Sequence, residues 1–333
     1  MLKILKFCLK RIPVIFFNFL NNRVTLKTKN ININMKKDYL ELSDFDHKIY
    51  GSYDDLKTMN KQELEKHYFE FGIDEGRFYT GIQNSLDFVT SIKKGGKMLE
   101  IGPLDKPKLD YLSPEYYSLD VFNKEELIKN YIDNESVKKD KIIEPSYIIK
   151  NNDYSNIKEK FECIFSSHNI EHMPCVTTYL NNLEKVLQEN GSIYLAIPDK
   201  RYCFDHFKKT TEIYDVLQLF NEKNNRPKFT DVLKMASQGT HNDSGRHWNN
   251  DHGIIDYCKL VIERYTPALT QFNTTNYVDA HVSCFTPKCF MEIIETLHEL
   301  KITNLHIHKI YHTLKGCNEF YVILKKTRTE NLN

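Results

Sequence analysis

The sequence predicts an α/β fold: a mostly parallel sheet of seven strands, closed by an antiparallel C-terminal hairpin, behind a small helical extension. Three observations predict it. From Gly95 onward, strand-like and helix-like stretches alternate, the pattern of a parallel sheet with helical crossovers. A tight Gly102-Pro103 turn follows directly on the first apolar strand. Near the end, two strands are separated only by a short linker containing Gly316, which implies antiparallel pairing.

Residues 97–101 read as the first strand, 116–120 as the second, with a third near 146–150. The fourth is expected at 162–167 and the fifth at 192–197. Between these two, Val176, Tyr179, Leu180, Leu183, Val186 and Leu187 mark a helix with one apolar face; Pro174 suits its start and Asn190-Gly191 its stop. Thr286-Pro287 opens a helix carrying Phe290, Ile293, Ile294, Leu297 and Leu300. Strands at 302–310 and 319–324 follow. A plain dinucleotide-binding domain would finish on a parallel strand instead.

Bulk composition narrows the function classes. Lys plus Arg number 46 against 45 for Asp plus Glu, so there is no basic excess of the kind phosphate binding leaves, and no nucleic-acid partner is expected. The eight cysteines form no CxxC pair, which suits reduced thiols in the cytoplasm better than disulfides or a zinc site. Residues 1–36 form a basic amphipathic segment. Its longest uncharged stretch, 12–22, is too short to span a bilayer. Residues 1–27 suit either peripheral contact with the inner face of a membrane or packing on protein. Oligomeric state is not legible.

Residues 37–80 read as a separate small module. Leu64, Tyr68 and Phe71 recur at helical spacing, and Gly72 stands where a C-cap would end the helix. The run from His67 to Arg77, with Asp44-Phe45-Asp46 and Tyr53-Asp54-Asp55-Leu56 before it, resembles the short "HYxxxGxxEGR" helical modules that accompany bacterial glycan-biosynthesis enzymes. A packing role is expected of it. Residues 81–333 form the main domain, with an insertion at about 200–282.

In an open α/β sheet, ligands bind beyond the carboxyl ends of the strands. Glu100, Gly102 and Pro103 lie there, Gly102 allowing close backbone approach and Glu100 accepting hydrogen bonds from a ligand's amino-acid end. The fingerprint GxGxxG is absent, which argues against NAD. Asp120 ends the second strand, where a carboxylate can accept two ribose hydroxyls; a helix N-cap is the alternative. Asp153, in Asn152-Asp153, falls where an adenine amino group would be met, with an N-cap again the alternative.

The stretches Phe161-Glu162-Cys163-Ile164-Phe165-Ser166-Ser167-His168-Asn169-Ile170-Glu171-His172-Met173-Pro174 and Leu195-Ala196-Ile197-Pro198-Asp199-Lys200-Arg201-Tyr202-Cys203-Phe204-Asp205 closely resemble class I methyltransferases dependent on S-adenosylmethionine (SAM). The subgroup carries "SHxIEHxP" and "AIPDKRYxFD" motifs and occurs often among surface-polysaccharide genes. The likeness runs at lower density from about Gly95 to Lys325 and includes "HVxxFTPxxF" at 281–290. It implies a Rossmann-like sheet, SAM as cofactor, and a segment after the fourth strand that borders the methyl group.

That segment presents Ser167, His168, Glu171 and His172, with Ser167 and His168 beside the cofactor and His168 or His172 as candidate base. With Glu171 the two histidines could hold a metal if the segment is helical, but no third ligand is identifiable and no metal is expected. Asp199, Arg201, Asp205 and His206 are expected to grip a polar acceptor, since packing explains such a run poorly. The insertion contains His241, His247 and His252, with Asp279 and His281 beyond; their spacings match no common zinc signature, so His247 and His281 are expected to line an acceptor pocket under a lid. The predicted reaction is methylation of a sugar or glycan-precursor hydroxyl. N-methylation of an amine or amide, or a non-catalytic scaffold in a glycan-assembly complex, are the alternatives.

Overall fold

The computed structural model describes residues 39–92, 95–150, 152–274 and 278–327; the basic segment 1–36 lies outside the described residues. Strands β1 (Met98–Ile101), β2 (Tyr116–Asp120), β3 (Tyr147–Ile148), β4 (Phe161–Ser167), β5 (Leu187–Pro198), β6 (Leu305–Tyr311) and β7 (Glu319–Lys326) form one sheet. Its order is β3-β2-β1-β4-β5-β7-β6. Neighbours among the first five pair parallel, whereas β7 runs antiparallel to both β5 and β6. A single reversed strand inside one edge is the Rossmann-like class I methyltransferase sheet, as expected.

The helices are α1 (His47–Tyr50), α2 (Lys61–His67), α3 (Ser85–Thr90), α4 (Lys124–Asn130), α5 (Val176–Val186), α6 (Ile213–Asn221), α7 (Phe229–Gln238), α8 (Ser244–Trp248), α9 (Tyr257–Thr274) and α10 (Pro287–Glu299). Helix α5 buries Val176, Tyr179, Leu180, Leu183 and Val186 on one face. It stops at Val186 rather than at Asn190-Gly191, because Leu187 already pairs with Phe161. Gly191 is needed all the same: a Cβ there would lie 2.9 Å from the Phe161 carbonyl oxygen. Helix α10 starts as expected, with the Thr286 hydroxyl accepting from the Cys289 N–H and Pro287 in the first turn. Phe290, Ile293, Ile294 and Leu297 are then fully buried, each such side chain contributing about 1.5–3 kcal/mol relative to exposure.

The module at 37–80 departs from its expected helix. Helix α2, started by an Asn60–Glu63 capping box, runs on through a π turn, Tyr68–Gly72, and ends at Gly76 in the left-handed region (φ +64°). Gly72 is therefore no cap. It is glycine because the Tyr50 hydroxyl fills the place of a Cβ, 2.0 Å from where one would sit. The extra residue of the π turn rotates the phase, so Leu64 and Tyr68 are buried while Phe71 stays 51% exposed. Tyr50, Leu56, Leu64, Tyr68 and Tyr79 pack with Leu314 of the β6–β7 connection. The described residues from Leu40 onward belong to one compact unit.

The insertion is not a long loop. It holds α6 to α9, with Val232 of α7 and Ala268 of α9 packed on Val278 and Ala280. Among the described residues no helix is long and apolar enough to cross a membrane.

Candidate functional site

The carboxyl ends of β1, β2, β4 and β5 meet at one side of the sheet. Gly102 adopts φ +62°, and a Cβ there would come within 2.9 Å of Asn169 Oδ1. The Asn169 amide donates to the carbonyls of Ile101 (3.1 Å) and Ser167 (2.8 Å), tying the ends of β1 and β4 together. Asn169 thus gives Gly102 a reason of its own to be glycine. Pro103 continues this turn, its carbonyl accepting from the Lys106 N–H.

Glu100 lies at the centre of a network within its own chain. Only 2% exposed, it accepts from the Lys108 N–H (2.7 Å), the Leu109 N–H (3.2 Å) and the Tyr116 hydroxyl (3.1 Å). Burial raises its pKa against the pull of these three donors. Both oxygens accept from the chain, and Glu100 thereby shapes the loop after β1.

Asp120 ends β2, and its Oδ1 accepts from the N–H groups of Val121 (2.7 Å) and Phe122 (3.2 Å). Burial raises its pKa. Oδ2 stays outside this turn, so Asp120 keeps acceptor capacity. Asp153 is exposed and accepts from the Ser155 N–H, in the manner of a cap. The Tyr131 hydroxyl, its pKa raised by burial, also feels the charges of Asp279 and Asp120.

After Ser167, His168 takes φ +51° and a short 3₁₀ turn follows at Ile170–His172. His168 Nε2 lies 2.8 Å from Glu319 Oε2, at the start of β7, and its Nδ1 lies 3.8 Å from Glu171 Oε1. Burial works against the His168 cation, but the Glu319 hydrogen bond and the Glu171 charge outweigh it, so its pKa is raised. His172 behaves alike: Asp279 Oδ1 lies 2.7 Å from Nδ1, Glu171 Oε1 lies 3.7 Å from Nε2, and its pKa is raised against burial. Glu171 itself is 1% exposed, and neither of its oxygens has a hydrogen-bond partner.

The acceptor residues expected after β5 divide sharply. Asp199 is fully buried, held by Arg201 through two nitrogens, by the Arg201 N–H and by the Thr313 hydroxyl. It positions Arg201. Asp205, 1% exposed, pairs with Lys208 at 2.7 Å and with His281 Nδ1, so it too is withdrawn from solvent. Arg201 stays partly exposed, its guanidinium over the Tyr202 ring. A polar run beyond a strand looks the same in sequence whether it faces a ligand or closes on itself.

His281 does arrive at the site, its Nε2 lying 3.9 Å from Glu171 Oε1. His247 does not. It is 1% exposed in a stack of rings, with His252 Nδ1 at 3.0 Å and His206 lying flat on His252 at 3.7 Å between centroids. Burial lowers the pKa of both His206 and His247, and neighbouring histidines lower it further. Trp248 is stacked on Tyr202 at 3.8 Å and donates to the Cys317 carbonyl.

Sequence reasoning missed Asn169 and Glu319. A signal existed for Glu319: an antiparallel last strand must place its first residue at the carboxyl end of β5, where Glu319 pairs with Pro198.

No family model and no curated protein matches the chain. Solved structures resemble it at low identity. The CcbJ methyltransferase from Streptomyces caelestis is 8% identical with a TM-score of 0.38, over 75% of this chain and 99% of that one. A S-adenosylmethionine-dependent methyltransferase from Clostridium acetobutylicum is 9% identical with a TM-score of 0.35, over 80% and 99%. The plantazolicin methyltransferase BpumL is 12% identical with a TM-score of 0.37, over 89% and 98%.

Proposed function

We propose that this chain transfers a methyl group from SAM to a hydroxyl of a sugar or glycan precursor. The carrying observation is Asp120, a partly buried carboxylate at the end of β2 with one oxygen free of its own turn. In this reading Asp120 accepts the ribose hydroxyls, and Gly102 and Pro103 form the turn that meets the cofactor's amino-acid end. Ser167 and His168 border the methyl group and Asp153 lies toward the adenine. Arg201 and His206 remain candidates for acceptor contacts.

The chemistry is a displacement: the methyl carbon breaks its bond to sulfur and bonds to the acceptor oxygen, whose proton must leave. His168 is the proposed base, held in place by Glu319. Calorimetry with SAM and its demethylated product on wild type and Asp120→Ala tests the cofactor half. The variant should bind about 1–3 kcal/mol more weakly, from lost charge-assisted hydrogen bonds. Unchanged affinity in a folded variant removes Asp120 from the site. Transfer of labelled methyl to nucleotide sugars, with amine-bearing sugars alongside, tests the acceptor half.

A further inference from the structure

We infer that Glu171, His172 and His281 form a site for one divalent cation of the zinc or iron type. Their ligand atoms all lie within 4.8 Å of one another. Glu171 Oε1 stands between the inward-facing nitrogens, 3.7 Å from His172 Nε2 and 3.9 Å from His281 Nε2. Ligands held at about 2.0–2.2 Å by one ion sit roughly 3–3.5 Å apart, so side-chain closure of up to about 1–2 Å brings the three to bonding distance.

Two further observations point to an ion. A carboxylate that is 1% exposed with neither oxygen hydrogen-bonded is costly to bury unless something satisfies it. A cation bound to Oε1 does so. In addition, the His281 imidazole turns its other nitrogen to a carboxylate, Nδ1 hydrogen-bonding Asp205, while Asp279 Oδ1 lies 2.7 Å from His172 Nδ1 as an ion-pair contact outside hydrogen-bond alignment. Metal-binding histidines are oriented in this way, because the outer carboxylate fixes the ring and makes its inner nitrogen the better ligand.

The donor set selects the ion. Two imidazoles and one carboxylate suit zinc, iron, cobalt or manganese, whereas magnesium and calcium take oxygen cages. Three protein ligands leave a coordination position open, and His168 Nδ1 flanks Glu171 Oε1 at 3.8 Å. An acceptor hydroxyl on that open position would be bound beside the candidate base.

A second group, His206, His247 and His252, lacks these features. Its rings lie face to face, with 11° between the planes of His206 and His252. Parallel rings cannot aim their in-plane lone pairs at one point. It also contains no carboxylate.

The inference does not depend on the methyl-transfer reading, and its test does not use turnover. Metal-free protein is titrated with Zn²⁺ by calorimetry and with Co²⁺ by visible absorption. One ion per chain is expected, with cobalt bands that report nitrogen ligands. Glu171→Gln should abolish the bands, and Asp279→Asn should weaken affinity on the order of 10–100-fold by loosening His172. Asp279 is largely exposed, so its variant keeps the test open if Glu171→Gln does not fold. His206→Gln should bind as wild type does. Absence of binding in the wild type overturns the inference. So does equal affinity in the wild type, Glu171→Gln and Asp279→Asn, or loss of binding only in His206→Gln.

Discussion

Two histidine clusters sit within the same domain and are held in opposite ways. Around Glu171, the imidazoles of His168, His172 and His281 each lean on a separate carboxylate: Glu319, Asp279 and Asp205. Around His247, the rings lean on one another and on backbone carbonyls, His247 on that of His241 and His206 on that of Arg201. The first arrangement raises the pKa of His168 and His172; the second lowers that of His206 and His247. The difference teaches that a histidine's partners, and not its presence in a polar stretch, decide which way its pKa moves.

The comparison is broken or sharpened first by turnover. His168→Asn should keep SAM affinity and lose on the order of 10²–10⁴-fold in rate, the usual weight of a positioned base. His206→Asn should cost far less. Equal losses in the two variants would erase the functional contrast between the clusters.

Stability comes next. Asp205 neutralises Lys208, whose side chain is 3% exposed, and orients His281. Asp205→Asn leaves that ammonium buried without its counter-charge, a change that costs about 3–5 kcal/mol. A denaturant titration showing less than about 1 kcal/mol would mean that water reaches Lys208.

The smallest expected effect is a pH slope. A histidine whose folded pKa is depressed contributes stability above its unfolded pKa of about 6.5, and that contribution is lost as pH falls. The His206–His247 stack should therefore weaken the fold between about pH 7 and pH 5. His247→Gln removes one titrating group, so melting temperatures of the variant should fall less steeply across this window. Parallel curves would show that the stack is not held neutral.

Much of the sheet was legible because its signals are local. The strands at 98–101, 116–120 and 161–167 are apolar runs bounded by turn residues, and Thr286-Pro287 announces its helix within two positions. The candidate site was legible only where its residues share a segment: Ser167, His168, Glu171 and His172 lie side by side, and Asp120 ends a strand. The burial of Asp199 and Asp205 was not legible, because their partners Thr313 and His281 lie far along the chain. Glu171 lacked its companion for the same reason, since His281 arrives from beyond the insertion. Gly72 was mistaken for a cap because Tyr50, which occupies the space beside it, belongs to a different helix.

The helical module rests on the far end of the chain. Tyr311 donates to Asp44, the His312 N–H to the Tyr79 hydroxyl, and the Lys315 N–H to the Gly76 carbonyl. Trp248 and Lys315 both crowd the Cβ position of Gly76. This seam has a consequence for synthesis. At roughly 5–20 residues per second, the ribosome finishes the module on the order of tens of seconds before the strand it docks on exists. Throughout that interval Tyr50, Tyr68 and Tyr79 have no Leu314 to cover them, so the nascent chain carries an aromatic surface that only its last hairpin can hide. Ribosome-bound chains stopped just before residue 305 should therefore recruit chaperones that full-length chains have shed.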